Sequence, residues 1–442
     1  MLVVGLGRSG TAAARFLLKA GAKVAGFDEE TTTLASKPVA VLKSAGMKAI
    51  GGWRLAIGDW RLAVVSPGIG DSHPLVRALH RRAVPVVDEL DLASTLVSGP
   101  VIAVTGTNGK STTTALIGAM LQAAGSTVFC GGNLAPGRPF SAALLGRRKD
   151  YYVVEASSFQ IERARWLKPK VAVILNIVPD HLNRHGTLRR YADCKLRILD
   201  RQDEGDHAVL NHDDPLVREA AGRGKAAKHF FSLKDVNADA YLSSGSLWSC
   251  GRKVLSASRL RLPGRHNIQN CLAAIAAVRL LGAGLPPIRR TLATFAGLPH
   301  RLELVRRLRG VEYINSSMTT NPSAGARSLE AVAEGRAGRV IVIAGGREKA
   351  LPTMEYARAM KKYAKRVLLV GESSARLARE LTGLGFRRFE TPPGLKEAVA
   401  AASTEAAAGD KVLFAPGFAS FDQFRNFAVR GNAFRREVGN LD

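Results

Sequence analysis

Val101-Ile102-Ala103-Val104-Thr105-Gly106-Thr107-Asn108-Gly109-Lys110-Ser111-Thr112 decides the reading of this chain. Four apolar, mostly β-branched residues predict a buried parallel strand. A loop of small residues with two glycines follows, and Lys110, Ser111 and Thr112 open a periodic apolar stretch that predicts a helix through Gln122. A glycine-rich turn at a helix N-terminus gathers backbone N–H groups and the positive end of the helix dipole at one point, where phosphate fits. Lys110 adds a point charge for the terminal phosphates, and the Ser111 hydroxyl is placed to hold Mg²⁺. The common phosphate loop has four residues between its first Gly and the Gly-Lys pair. Gly106 leaves only two, Thr107 and Asn108, so this is a shortened variant. A surface turn that happens to contain Gly-Lys-Ser is the plainer alternative. The order strand, loop, helix favours phosphate.

Outward from this stretch, both flanks alternate short apolar runs with helical patterns. A chain of 442 residues is long enough for about two to four domains. Towards the N-terminus, Leu2–Val4 predicts a strand, Gly5-Leu6-Gly7-Arg8-Ser9-Gly10 a turn, and Thr11–Ala20 a helix. Val24–Phe27 is a second strand ending at Asp28, and Leu62–Val65 a third, followed by Ser66-Pro67-Gly68-Ile69. This is a doubly wound α/β pattern. G-x-G-x-x-G with an acid at the next strand end is a dinucleotide fingerprint. The same turn would hold any pyrophosphate, that of a nucleotide-sugar included, or serve the fold alone. No hydride-transfer site accompanies it, so the nucleotide-sugar is favoured over nicotinamide.

Beyond the phosphate loop, strands are expected at Tyr151–Glu155, Val171–Asn176 and Ala208–Leu210. Short antiparallel strands are expected around Leu255–Leu262, and a helix at His266–Leu281. Phe295–His300, with its Gly and Pro, marks a boundary. Strands at Val311–Ile314, Arg339–Ala344, Arg366–Val370 and Lys411–Phe414, with helices between, make a further α/β domain. Gly394–Gly409, mostly Ala and Glu, reads as a solvent-facing helix.

Composition narrows the class. Hydrophobic residues make up 46%, ordinary for a chain with real cores, and no apolar run reaches the roughly 18 residues of a membrane span. Met1–Gly5 enters a strand at once without a basic leader region, which argues against a signal peptide. Cys130, Cys194, Cys250 and Cys271 are scattered, without a C-x-x-C pair. That argues against a zinc ribbon or a disulfide framework and suits a reducing cytoplasm. The formal charge is +27. The basic residues are spread along the chain and not interleaved with aromatics, so a dedicated nucleic-acid role is disfavoured against a basic surface that attracts anionic substrates.

Three further stretches carry candidate chemistry. Glu155 ends a hydrophobic strand before Ala156-Ser157-Ser158-Phe159-Gln160. An acid there, beside a phosphate loop, can bind Mg²⁺ directly or through water, or merely cap a helix. Asp180 and His181 follow the next strand, at the same ligand-binding edge. Lys195 lies in a helical pattern and by pattern alone is a surface lysine.

These motifs occur together, in the order and spacing of the Mur ligases, which the whole chain resembles. Ala415–Phe427, with Arg430-Gly431-Asn432 and Phe434, is similar to the branch that adds D-glutamate to UDP-N-acetylmuramoyl-L-alanine, as are Gly5-Leu6-Gly7 and Ser66–Ile69. The resemblance implies an α/β chain of three domains. Residues 1–90 would be a Rossmann-like UDP-binding domain, 91–297 a central P-loop ATPase domain with a mostly parallel sheet, and 298–442 a Rossmann-like, amino-acid-binding domain. It implies a cytoplasmic, monomeric ligase of peptidoglycan precursor synthesis. ATP would activate a carboxylate as an acyl phosphate for attack by glutamate, with Mg²⁺ at two sites. Gly106, Thr107, Asn108, Gly109, Lys110, Ser111 and Thr112 would hold ATP, with Asn270 and Arg301 contacting the nucleotide. Ser111, Glu155, His181 and a carbamylated Lys195 would serve the metals. Lys110, Lys195, His181 and Glu155 form the implied catalytic group. Arg8, Ser9, Asp28, Ser66, Pro67, Gly68 and Ile69 would hold the UDP part, and Asn133 and His181 the sugar–alanine arm. Lys349, Ser420 and Phe427 would hold the incoming glutamate.

The chain departs from the family pattern in one segment. Where Asn-Asp-Ser-Lys-Ala-Thr-Asn is usual, it has Asn315-Ser316-Ser317-Met318-Thr319-Thr320-Asn321, and Arg347 stands where Asp is common. An acid and a lysine are lost, and Arg347 or Lys349 is the candidate to replace the lost positive charge. Two alternatives follow from this departure: the same chemistry with L-glutamate or another amino acid, and a degenerate homologue that binds nucleotide without catalysis.

Overall fold

Runs of Val, Ile and Ala flanked by glycine turns form three sheets, joined by helices whose apolar faces cover them. The computed structural model describes residues 1–134, 137–262, 264–348 and 351–442. The chain divides into two compact units, Met1–Phe295 and Ala296–Asp442.

The first unit holds two sheets. Its N-terminal sheet contains β1 (Leu2–Val4), β2 (Ala25–Phe27), β3 (Lys48–Ile50), β4 (Ala63–Val65) and β5 (Val86–Val87). They are ordered β3-β2-β1-β4-β5 and all parallel. The order reverses between β1 and β4, and ligands bind α/β sheets at such a crevice. The glycine turn Gly5–Gly10 and the loop after β4 both emerge there. The helix Arg8–Lys19 begins three residues earlier than its apolar period suggests. It does so because Gly10 lets it lie on the turn: a Cβ there would stand 1.8 Å from the Gly5 carbonyl oxygen.

The second sheet has nine strands: β6 (Val101–Thr105), β7 (Val128–Gly132), β8 (Tyr151–Glu155), β9 (Val171–Ile174), β10 (His207–Asn211), β11 (Ala227–Ser232), β12 (Ala240–Ser243), β13 (Ser246–Ser249) and β14 (Arg252–Ser256). Their order is β14-β13-β12-β11-β10-β9-β6-β8-β7, with β6 between β9 and β8. Only β12–β13 and β13–β14 are antiparallel. The central strands are buried on both faces. Ile102 and Val104 pack with Leu116, Ile117 and Met120 of the helix Lys110–Ala123, and Val101 and Ala103 pack with Phe129 and Tyr152 on the other side. Each such side chain contributes about 1.5–3 kcal/mol, which fixes the register and so the height of the phosphate loop above the sheet. The antiparallel expectation around Leu255–Leu262 holds to Ser256. The chain then turns through a 3₁₀ segment, Ala257–Arg259.

The second unit holds β15 (Glu303–Leu308), β16 (Val311–Asn315), β17 (Val340–Ala344), β18 (Ala364–Leu369), β19 (Phe389–Glu390) and β20 (Lys411–Phe414). The order is β15-β16-β20-β17-β18-β19, parallel except for β15–β16. The Ala-rich helix Leu395–Glu405 is not solvent-facing throughout. Leu395, Ala398, Val399 and Ala402 are buried, a spacing of three and four that makes one narrow apolar face.

In the first unit, buried acids tie the N-terminal sheet to the central one. Asp88 follows β5 and caps the helix Glu89–Leu96, its Oδ1 accepting the Leu90 N–H at 2.8 Å and the Gln160 amide at 3.2 Å. Glu89 accepts the Ser141 N–H, and Asp91 accepts three, from Arg165, Trp166 and Leu167. Oδ2 of Asp88 and Oε2 of Glu89 are buried without a hydrogen-bond partner. Burial, with the neighbouring Glu89 charge, pushes Asp88 up to about 8. Burial raises Glu89 as well, to about 7. Both values lie above those of the unfolded chain, so the folded protein holds the extra protons and loses stability as pH rises from about 4 to about 8. Asp88→Asn should therefore gain on the parent between about pH 5 and about pH 8, by up to about 1.4 kcal/mol per pH unit. Urea denaturation at several pH values checks this, and a pH-independent difference contradicts it.

Candidate active site

The parallel register brings the C-terminal ends of β6, β8 and β9 to one edge, and the site is built on the loops that leave them. After β6, Gly106 and Gly109 take φ of +147° and +84°, backbone that favours glycine. Asn176, just after β9, fixes the loop between them. Its carbonyl accepts the Thr107 N–H at 2.8 Å, its Oδ1 accepts the Asn108 N–H at 2.8 Å, and its amide donates to the Asn108 carbonyl at 3.1 Å. Gly109 is the N-cap of the helix Lys110–Ala123.

Two lysines converge on one carbonyl. Lys110 Nζ donates to the Gly106 and Thr107 carbonyls at 2.9 and 2.7 Å. Lys195 Nζ donates to the same Gly106 carbonyl at 2.8 Å. The helix Leu188–Leu196 carries Lys195 into the interior, where it is 2% exposed and lies over the Tyr191 ring at 4.6 Å. Desolvation, with the Lys110 charge, pulls its ammonium down to about 7. The surface position that its sequence pattern suggests is thus corrected. Tyr191 and Cys194 are buried beside it, and that helix has few outward positions.

Glu155, 3% exposed, is held from two sides. Ser111 Oγ donates to its Oε2 at 2.5 Å and Asn133 Nδ2 to its Oε1 at 2.9 Å. His181 Nε2 lies 3.7 Å from Asp180 Oδ2, with His181 at φ +52° and its ring 5.0 Å from Phe159. Carboxylates, hydroxyls and an imidazole are a donor set that suits Mg²⁺ with retained waters. The buried ammonium of Lys195, beside that of Lys110, is at odds with a cation there.

A cavity of about 260 Å³ joins these groups to the N-terminal sheet. Lys110, Asn133, Phe159, Asp180, His181 and Lys195 line it, and so do Pro67 and Gly68 of the loop after β4. Arg163, which the sequence reading missed, holds that loop. Its buried guanidinium pairs with Asp71 at 2.7 Å and donates to the Ser66 and Ile69 carbonyls. Arg184 donates to the Pro67 carbonyl at 3.1 Å. An arginine in a helical run carries no sequence signal for such a role. Ser66 Oγ donates to the Gly5 carbonyl at 2.9 Å, Arg8 to the Leu134 carbonyl at 3.0 Å, and Ser9 sits in the first turn of its helix. Asp28 accepts the Leu6 N–H at 2.7 Å, so it shapes the glycine turn as well as facing the crevice. Asn270 is buried, with its Oδ1 against Gly109.

The second unit carries the remaining predicted residues. Ser420 is buried at the start of a turn, accepting the Gln423 and Phe424 N–H groups through its carbonyl. Phe427 opens the helix Phe427–Gly439, edge-on to His300. Arg301 is exposed one residue later. Arg347 pairs loosely with Glu372 at 3.6 Å and its N–H donates to the Ala419 carbonyl. Lys349 lies outside the described residues. Ser316 Oγ meets Ser328 Oγ at 3.1 Å. Arg430, which the sequence offers only as part of the closing segment and without a role, is a further positioning residue. It is 3% exposed, and its guanidinium donates to the carbonyls of Ser317, Phe418 and Ala419. It ties the segment carrying Ser420 to the segment of the family departure.

Comparison with known proteins agrees with this architecture. The model of the Mur ligase MurD-like N-terminal domain matches residues 1–88, that of the Mur ligase middle domain 104–278, and that of the Mur ligase glutamate ligase domain 300–418. The UDP-N-acetylmuramoylalanine–D-glutamate ligase of Pelotomaculum thermopropionicum is 40% identical over all of this chain and 97% of that protein. Among solved structures, the UDP-N-acetylmuramate–alanine ligase of Thermotoga maritima superposes with a TM-score of 0.60 at 21% identity, covering 99% of this chain and 98% of that one. The MurF ligase of the same organism, solved with ADP, gives 0.58 at 18% identity, covering 94% and 95%. The fold and site define an ATP-dependent ligase class. Within it, the chain belongs to the Mur ligase family.

The crowding at Gly109 generates a test. A Cβ there would lie 2.2 Å from Asn270 Oδ1, in backbone that side chains rarely adopt. Gly109→Ala should cost about 1–3 kcal/mol in urea denaturation and weaken ATP binding in a nucleotide titration. Gly125→Ala, at φ +96° with open space around it, should cost less and leave ATP binding unchanged. Equal effects of the two substitutions contradict the assigned crowding.

Proposed function

We propose that the protein joins D-glutamate to UDP-N-acetylmuramoyl-L-alanine with ATP, as a cytoplasmic monomer in peptidoglycan precursor synthesis. In this reading residues 1–90 hold the UDP part, 91–297 hold ATP, and 298–442 bring the amino acid. The observation that carries it is a cavity lined by Pro67 and Gly68, by Lys110 of the phosphate loop and by Lys195. A substrate anchored through UDP at the N-terminal crevice would present its terminal carboxylate to the γ-phosphate of ATP. The relative from Pelotomaculum thermopropionicum is named for the same acceptor and amino acid.

The chain's own groups have separable tasks. The loop N–H groups and Lys110 would bind the β- and γ-phosphates and offset the charge that moves as the phosphoryl group transfers. The alanine carboxylate takes the phosphoryl group and ADP departs. The glutamate amine then attacks the acyl carbon, and inorganic phosphate leaves with its bonding electron pair. Asn133 would orient the sugar–alanine arm, and Asn270 and Arg301 the nucleotide. Ser420, Phe427 and Lys349 would orient the glutamate. Mg²⁺, at two sites, would be held by Ser111, Glu155 and His181, and would neutralise phosphate charge. Lys195 suits this only without its positive charge. A neutral amine can add CO₂ and release a proton, and the resulting carbamate is an anion; the lowered pKa of Lys195 supports that chemistry.

Phosphate release with ATP, Mg²⁺ and UDP-N-acetylmuramoyl-L-alanine tests the reading. D-Glutamate should support turnover about 10⁴-fold or more better than L-glutamate, the scale on which a site that hydrogen-bonds its substrate rejects an analogue unable to make those bonds. Turnover with L-glutamate alone, or with no amino acid, contradicts it. No phosphate release with any amino acid also contradicts it, and is the outcome for a degenerate homologue that retains only nucleotide binding.

A further inference from the structure

Beside the cavity, three side chains from three helices gather ligand atoms of a different chemistry. Glu162 comes from the helix Ser158–Arg163, His185 ends the helix Leu182–His185, and Cys194 comes from the helix Leu188–Leu196. One ligand atom from each lies within 4.8 Å of the other two. His185 and Cys194 are buried at 7% and 6% exposure, and the Glu162 side chain is about one-third exposed. We propose that Glu162, His185 and Cys194 form a binding site for a thiolate-preferring divalent cation of the Zn²⁺ type, separate from the Mg²⁺ positions of the ligase reaction.

The chemistry of the ligand set selects the metal. Thiolate, imidazole and carboxylate on a tetrahedral ion, with a fourth position left to water, is a zinc arrangement. Mg²⁺ prefers oxygen donors and does not compete for sulfur. With a thiolate and a carboxylate the site is neutral when loaded, so burial carries no net charge. Zinc bonds of about 2.0–2.3 Å put tetrahedral ligand atoms roughly 3.5 Å apart. The cluster is therefore about an ångström too open, and Glu162, the longest and most exposed of the three side chains, can close it by changing rotamer.

The surroundings are held independently of any metal. Ser158 stands between the two buried ligands: its Oγ is 3.1 Å from His185 Nε2, and its carbonyl is 3.1 Å from Cys194 Sγ. The Phe159 ring stacks on His185 at 5.5 Å and reaches His181 at 5.0 Å, so it stands against both centres. Glu162 meanwhile pairs with Arg184 at 2.8 Å. Arg184 lies over Phe159 and holds the Pro67 carbonyl. A cation at the cluster would compete with Arg184 for Glu162, which links its occupancy to the loop that lines the ligase cavity.

Cobalt titration of the reduced, full-length protein in excess Mg²⁺ tests the site. One equivalent of Co²⁺ should produce thiolate-to-cobalt charge-transfer absorption, which Zn²⁺ removes and further Mg²⁺ does not. Cys194→Ser should abolish the band, and Glu162→Gln should weaken Co²⁺ binding by roughly tenfold or more. Cys250→Ser, at an exposed cysteine, should leave the band intact. If Cys194→Ser fails to fold, loss of the band in a folded His185→Gln protein carries the same weight. Absence of the band in the parent, its survival in Cys194→Ser, or its loss in Cys250→Ser overturns the proposal.

Discussion

Two ammonium groups donate to one carbonyl oxygen, that of Gly106, and the rest of the site follows from that meeting. Like charges in a buried place repel, so the arrangement persists only where something anionic balances it or one charge is absent. Glu155 lies on the neighbouring strand end, yet its two oxygens are engaged by Ser111 and Asn133. The phosphate loop is a place prepared for negative charge, and ATP is what the proposed reaction brings to it. The glycines of the loop and the Asn176 side chain exist to hold that backbone in a shape that ordinary residues resist.

The parallel sheet is what makes this meeting possible. With β6 between β8 and β9, the phosphate loop, Glu155 and the Asn176 turn must share an edge. The buried registers of these strands permit no one-residue slip without exposing a core face. The loop after β4 arrives at the same cavity because Arg163 and Arg184, both from the central part of the chain, grip its carbonyls. In the second unit Arg430 plays a similar part, gripping three carbonyls around Ser420 and Ser317. Buried arginines of this kind position loops through their carbonyls.

Much of this was legible in the sequence, for physical reasons. The strand Val101–Thr105, its glycine loop and its helix are all short-range features, and β-branched runs with glycine punctuation report them directly. Glu155 and Asp180–His181 were legible because strand ends share an edge in a parallel sheet. Lys195 was not: a lysine in a helix carries no sign of burial until the packing around Tyr191 is known, and only the family resemblance singled it out. Arg163 was missed, and Arg430 was left without a role, because their partners are backbone carbonyls, which have no residue signature. The helix Leu395–Glu405 was misread because alanine makes a buried face without looking hydrophobic. The Glu162–His185–Cys194 cluster has no motif spacing, since three separate helices supply it.

In the proposed reaction Lys195 serves the site as an anion made from its neutral amine. Carbon-13 NMR of the protein equilibrated with ¹³C-bicarbonate near neutral pH tests it most directly. A carbamate carbonyl resonance that is present in the parent and absent in Lys195→Arg is the predicted result. A parent spectrum without that resonance, in protein that is otherwise active, contradicts the account.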